Sequence, residues 1–256
     1  MIDSHAHYDD EQFNPDRDEI LAKAYESGVT HIVNPGCSVE SSKASLKLAH
    51  KWPFVYAGVG IHPHEASSMD DHSVSVLEEM ARDKKVVAVG EVGLDYHYDF
   101  SPREVQKECL ARQIALARKL GLPLILHDRE SHRDILDLIR SEKAYEAGGV
   151  FHCFSGSVEM AREVLELGFY LGIGGSLTFK NAVKPVEVAA YAPFDRLLLE
   201  TDCPYMAPVP HRGKRNWSGL MGPTLEKIAA IKGVTVNEAE RKTAENAVAL
   251  FKLSGK

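Results

Sequence analysis

The sequence contains no run of about 18 apolar residues, so a membrane-spanning helix is not expected. Met1 does not lead into a basic segment followed by an apolar one, so no secretory signal is expected either. Cysteine is scarce. Cys37, Cys109, Cys153 and Cys203 form no C-x-x-C pair and fall in four different segments. That excludes a disulfide framework and predicts free thiols in a reducing, cytoplasmic setting. There is no excess of positive charge: 30 Lys and Arg stand against 37 Asp and Glu, a net charge of −7. A broad basic face for duplex nucleic acid or an anionic membrane is therefore excluded, although a small local basic patch is not. Low-complexity tracts and close repeats are also absent. What remains is ordinary globular composition, 44% apolar and 26% charged, in 256 residues. That length suffices for one large core, so residues 1–256 are expected to form a single domain.

Apolar runs and amphipathic segments alternate along nearly the whole chain. The predicted strands are 2–6, 30–34, 55–60, 86–91, 123–127, 149–152, 169–173 and 197–201. Several, such as Val86-Val-Ala-Val-Gly and Leu197-Leu-Leu, are unbroken apolar runs, as in strands buried on both faces. The predicted helices are 18–27, 39–50, 73–82, 102–120, 131–140, 158–167, 181–190, 224–231 and 236–252. For the longest, Ser101 is the expected N-cap, Pro102 the first helical residue and Glu104 the partner in a capping box. Eight strands each followed by a helix predict an α/β fold, the single-domain (β/α)8 TIM barrel. An open doubly wound sheet is the alternative. The longest irregular stretch, 203–223, reads as a loop over the catalytic end of the barrel.

In such a barrel, catalytic residues stand where the strands end. The first strand leaves through His5-Ala-His7, and in an extended chain two residues apart share a face. Alone, this pair is no better than a coincidence of spacing. However, His62 and His64 follow the third strand, His127 the fifth and His152 the sixth. Glu91 ends the fourth strand and Asp202 follows the eighth.

Neutral imidazole binds divalent metals, and a carboxylate can bridge two. On this reading His5 and His7 hold one ion and His127 and His152 a second. Glu91 bridges them, and Asp202 binds a metal or takes the proton of a metal-bound water. Two ions about 3.5–4 Å apart form a clamp for hydrolysis. Simpler roles compete with each assignment: Glu91 in a buried ion pair with an arginine, Asp202 capping a turn, His127 as a core histidine. His-Pro-His at 62–64 has two readings, a phosphate contact or a loop-shaping turn. Arg212-Gly-Lys214-Arg215-Asn216 is either a phosphate-binding rim or a solvated charge run, and Arg129 is a further candidate substrate contact.

D-S-H-A-H, G-I-H-P-H, G-E-V-G-L-D-Y, L-I-L-H, H-C-F-S-G, L-L-L-E-T-D-C-P and R-G-K-R-N, in this order over residues 3–216, resemble the TatD family of metal-dependent deoxyribonucleases. The resemblance implies an amidohydrolase-like barrel with His5 and His7 as one metal pair and His127 and His152 as the other. Glu91 then contacts both metals, and Asp202 is the acid after strand eight. It further implies hydrolysis of DNA phosphodiester bonds, from 3′ ends or in single strands, with Mg²⁺ or Mn²⁺ in activity. By affinity, the imidazole-rich set also accepts Zn²⁺. A monomer without an obligate protein partner is expected. The alternative is a small-molecule amidohydrolase, lactonase or phosphoesterase on the same barrel. One departure stands out: R-G-K-R-N continues with Trp217-Ser218, where the family commonly has Glu-Pro. Trp217 either stacks on a base or packs under the loop.

Overall fold

A computed structural model describes residues 1–253. Its strands are β1 (Ile2–Asp3), β2 (His31–Pro35), β3 (Val55–Val59), β4 (Val86–Asp95), β5 (Leu124–Arg129), β6 (Gly149–Phe151), β7 (Tyr170–Ile173) and β8 (Leu197–Leu199). All are parallel and pair in sequence order. The sheet returns on itself where Ser4 N donates to Leu199 O (3.0 Å), Asp202 N to His5 O (2.9 Å) and His7 N to Cys203 O (2.7 Å). The helices are α1 (Arg17–Glu26), α2 (Val39–Lys51), α3 (Asp71–Met80), α4 (Arg103–Leu120), α5 (His132–Ser141), α6 (Val158–Glu166), α7 (Val183–Tyr191), α8 (Gly222–Lys232) and α9 (Val236–Phe251). Sequential neighbours around a nearly closed sheet make this the expected (β/α)8 barrel. An open doubly wound sheet would have a permuted strand order.

Ile2, Val33, Val87, Ile125, Val150 and Leu198 form one cluster that runs onto Ala247 and Phe251 of α9. Side chains from six strands of a barrel can meet only inside it. The start of the barrel is therefore filled with apolar side chains and covered by α9. The polar residues lie further along the same strands, at the opposite mouth. A larger cluster joins the outer faces of the strands to the helices, for example Ile32, Leu124 and Leu171 with Leu21, Ile114 and Ile228.

Three local features depart from the sequence reading. β1 ends after two residues, because from Ser4 onward the backbone bonds alternately to both neighbours (Ser4 N to Leu199 O, Ala6 N to Val33 O, 3.1 Å). β4 runs ten residues, four beyond the expected end, and is buried throughout. Val89 pairs with Leu124 but Val92 with Leu126, so three steps on β4 match two on β5, a bulge at Gly90-Glu91. The predicted capping box on α4 is absent. Pro102 is the N-cap residue without a side-chain bond, while Ser101 Oγ donates to His64 O (3.0 Å) and accepts from Ser67 N (3.2 Å). Ser101 thus joins two loops at the catalytic mouth instead of capping the helix.

Barrel closure is centred on Asp3. Its buried carboxylate accepts from Thr201 N (3.0 Å), Thr201 Oγ1 (2.7 Å), Ser218 Oγ (2.6 Å) and His5 N (3.3 Å). Burial nevertheless raises its pKa from 3.8 to about 6. The folded state then binds the proton more tightly than the unfolded chain, so this contribution to stability is greatest below pH 3.8 and is lost as pH rises through 6. The stability of the wild type minus that of Asp3→Asn, from urea melts, should therefore increase by about 2 kcal/mol between pH 7.5 and pH 4. A flat difference would show that the four donors fully offset burial.

Candidate metal centre

The bulge in β4 points Glu91 into the mouth of the barrel, and its two oxygens face different partners. Oε2 lies 3.3 Å from His5 Nε2 and 3.2 Å from His7 Nε2. Oε1 lies 2.8 Å from His127 Nδ1, 2.8 Å from His152 Nε2 and 3.4 Å from His62 Nε2. Asp202 Oδ1 is on the first side, 3.8 Å from His5 Nε2 and 3.7 Å from His7 Nε2. Within each imidazole pair the nitrogens are also close: His5 Nε2 to His7 Nε2 is 2.9 Å and His127 Nδ1 to His152 Nε2 is 3.2 Å. Imidazole nitrogens this close share a proton or face a common cation.

The arrangement depends on tight backbone contacts. Gly93 has a φ of +153°, and a Cβ there would collide with the carbonyl of His127, so β4 and β5 can approach only with glycine at this position. Asp95, two residues on, accepts from His64 Nε2 (2.9 Å) and contacts His127 Nε2 at 3.2 Å through Oδ2. A carboxylate on the far nitrogen of a ligating imidazole fixes its ring and makes it more basic.

The electrostatics suit a cation. Burial pushes His62 down to about 4 and, with His152 beside it, holds His5 well below its usual range. Both are therefore neutral at pH 7, the form that ligates metal. Burial works against charge on His127 too, but Asp95 and Glu91 outweigh it and raise its pKa to about 9. Burial likewise opposes the Glu91 charge, yet His152, His62 and His5 hold its pKa well below the usual carboxylate range. Burial raises Asp202. The protons these imidazoles would otherwise carry can be replaced by divalent ions, and a set of four to five imidazoles with two carboxylates fits such ions.

His5, His7, Glu91, His127, His152 and Asp202 thus converge from five strands or the turns that follow them. Ligand atoms of His5, His7 and Asp202 lie within 4.8 Å of one another, as do those of His62, Glu91 and His127. His62 is therefore inside the centre and not at its rim, whereas His64 is half-buried behind it against Asp95. The sequence reading assigned no role to three neighbours. Asp95 stands at the true end of β4, four residues past the predicted one. Cys37 Sγ, from the exit of β2, lies 4.0 Å from His7 Nδ1 and 3.9 Å from Glu91 Oε2, but burial raises its pKa to about 11, so the thiol is neutral and a poor ligand. Glu200, two residues before Asp202, shares a cluster within 4.8 Å with His5 and His152, and burial raises its pKa to about 8. Its Oε1 accepts from Cys153 N, while Oε2 is buried without a partner, as are Nδ1 of His5 and of His152.

The profile of the TatD-related DNase family matches residues 2–252. The chain belongs to this family. Over 254 residues it is 42% identical to YabD of Bacillus subtilis, described as an uncharacterized metal-dependent hydrolase, covering 99% of this chain and 100% of the relative. Over 259 residues it is 36% identical to TatD of Cronobacter sakazakii, described as a 3′-5′ ssDNA/RNA exonuclease, covering 98% and 97%. The crystal structure of YJJV, a TatD homologue from Escherichia coli K12, superposes with a TM-score of 0.93 at 32% identity, covering 99% and 98%. This TatD-family chain is accordingly a metal-dependent hydrolase, and its barrel is the family's barrel.

The rim residues of this TatD-family protein divide into two kinds. The Arg215 guanidinium is held by both carboxylate oxygens of Asp16 and donates to Gln12 O (2.6 Å), so it fastens the loop. Asn216 is buried and bonds Thr201 O (3.0 Å) and Tyr205 O (2.8 Å). Trp217 packs against the core instead of standing free for a base. Arg212 and Lys214 are exposed, with the Arg212 guanidinium 3.9 Å above the Phe179 ring. No helix among the described residues is long and apolar enough to cross a membrane, and all four cysteines are unpaired. If Arg215 fastens the loop, Arg215→Ala should raise hydrogen exchange at the Lys214 and Asn216 amides roughly tenfold, while Arg212→Ala leaves it unchanged. Equal exchange in both variants would assign the anchoring to Asn216 alone.

Proposed function

We propose that this chain hydrolyses phosphodiester bonds of DNA, as an exonuclease acting on single strands or ends from the 3′ side, with two divalent ions. The observation that carries this reading is Glu91, which turns one oxygen to His5 and His7 and the other to His127 and His152. The ssDNA/RNA exonuclease named among its relatives supports the substrate class. His5, His7, Glu91 Oε2 and Asp202 would hold one ion. Glu91 Oε1, His127 and His152 would hold the other, with His62 alongside. Bound there, Mg²⁺ or Mn²⁺ (or Zn²⁺) would acidify a water and neutralise charge on the phosphate.

The chain's own residues supply the remaining functions. Asp202 Oδ1 faces the His5–His7 side at under 4 Å, within reach of a water lying between them. Burial raises its pKa toward ambient pH, which suits it to accept the proton of the attacking water. Asp95 keeps His127 oriented. The exposed Arg212 and Lys214 would take phosphate oxygens, as would Arg129 at the end of β5. The acidic remainder of the protein favours a short contact near a strand end over a long duplex footprint.

End-labelled oligonucleotides test this reading. Metal-stripped protein should be inactive, and Mg²⁺ or Mn²⁺ should restore stepwise shortening from the 3′ end of a single strand. Changing a residue behind a metal ligand costs 10–100-fold, so Glu91→Gln, which alters a ligand shared by both ions, should lower kcat by more than about a hundredfold. Calorimetric titration should find two ions per chain, with the first lost in His5→Ala and both in Glu91→Ala. Arg212→Ala with Lys214→Ala should raise KM and weaken its salt dependence, whereas a hydrolase of neutral small molecules would hardly respond. Failure of every metal to support nucleotide release would sink the proposal.

A further inference from the structure

Beyond the metal centre, the segment leaving β4 presents an aromatic surface that nothing in the fold uses. Tyr98 is 48% and Phe100 68% exposed, the latter the most exposed large apolar side chain among the described residues. Their rings stack on each other with centroids 5.3 Å apart and planes 23° apart. The His64 ring meets both edge-on, 5.3 Å from Tyr98 and 4.8 Å from Phe100. The Arg129 guanidinium lies 4.8 Å above Tyr98, and Arg129 forms no ion pair with any carboxylate among the described residues.

This surface is rigidly coupled to the reaction centre. Asp95 Oδ1 accepts from the backbone N–H of His97 and of Tyr98, both at 2.9 Å, which fixes the turn carrying the rings. Oδ2 of the same carboxylate bonds His64 Nε2 and contacts His127 Nε2. A continuous path of contacts therefore runs from Glu91 through His127, Asp95 and His64 to the two rings. One buried side chain positions both a candidate metal ligand and the aromatic pair.

Exposed aromatic rings, one of them under a guanidinium that no carboxylate neutralises, suit a flat, π-faced ligand that carries negative charge. Bases inside a duplex cannot use them, because they are already stacked on each other. An apolar protein segment would use the rings but leave Arg129 without a partner. An unpaired nucleobase with its phosphate satisfies both, and base–aromatic stacking tolerates every base. We propose that Tyr98 and Phe100, with Arg129, form a nucleobase subsite that stacks an unpaired base of a single strand whose backbone enters the metal centre. This inference deepens the nuclease reading and rests on it. It assigns the preference for single strands to stacking on the β4 exit and not to base-edge hydrogen bonds.

Fluorescence anisotropy tests the inference with a six-nucleotide thymidine oligomer carrying phosphorothioate linkages. The comparison is a tetrahydrofuran oligomer of the same length and linkages, which has the charges but no bases. The metal-loaded wild type should bind the thymidine oligomer about five- to a hundredfold more tightly. Tyr98→Ala with Phe100→Ala should abolish the difference without weakening binding of the base-free strand, and Tyr98→Phe should retain it. Both side chains are exposed, and unchanged circular-dichroism melts would verify folding. Equal affinity of the wild type for the two oligomers, binding of neither, or a preference that survives the double substitution would each overturn the subsite. Cleavage is scored separately on unmodified DNA. Cleavage without base preference removes the subsite and leaves the nuclease reading intact. Base preference without cleavage under any metal does the reverse.

Discussion

A carboxylate buried at the mouth of a barrel requires positive or hydrogen-bonding partners, and here that requirement falls on Glu91. Left unpaired, a buried charge costs several kcal/mol. Glu91 is surrounded instead by imidazoles contributed by β1, β3, β5 and β6 or the turns after them. Apart from the His5–His7 pair, these residues are far from one another in sequence and close only because parallel strands converge on one rim. The centre and the barrel are thus mutually dependent. The strands bring the ligands together, and the bulge in β4 turns the carboxylate toward them.

Around this core, a few side chains transmit the geometry outward. Asp3 joins the first strand to the residues after the last, so the histidines of β1 and Asp202 are held in one frame. Asp95 joins His127 to the turn after β4. Arg215 and Asn216 fasten the long loop after β8 and leave Arg212 and Lys214 exposed on it. In each case a charged or amide group with several partners ties a strand end or a loop to its neighbours where regular backbone pairing gives out.

Much of this was legible in the sequence. Apolar runs alternating with amphipathic segments give eight βα units, and parallel strands buried on both faces must read that way. The histidines were legible for a related reason: strand exits lie at predictable positions, so polar residues that recur there stand out. The boundaries were less legible. Ser101, Pro102 and Glu104 satisfy the local pattern of a capping box, yet tertiary contacts claim the Ser101 hydroxyl for His64 and Ser67. β4 runs past the end its local pattern predicts, because Val92-Gly-Leu-Asp95 has a glycine and an acid that propensity disfavours in a strand, and only pairing with β5 sustains it.

By itself the sequence determined the barrel and the family and named the candidate ligands, since these depend on periodicity, on motifs and on which residues follow each strand. It could not separate Arg215 from Arg212, place His62 inside the centre with His64 behind it, or bring Cys37, Asp95 and Glu200 to the site. Those assignments turn on distances of a few ångströms between side chains tens to hundreds of residues apart. Only the closed tertiary structure decides them, because only there do a bulge, a bidentate ion pair and a buried Asp95 select among chemically equivalent residues.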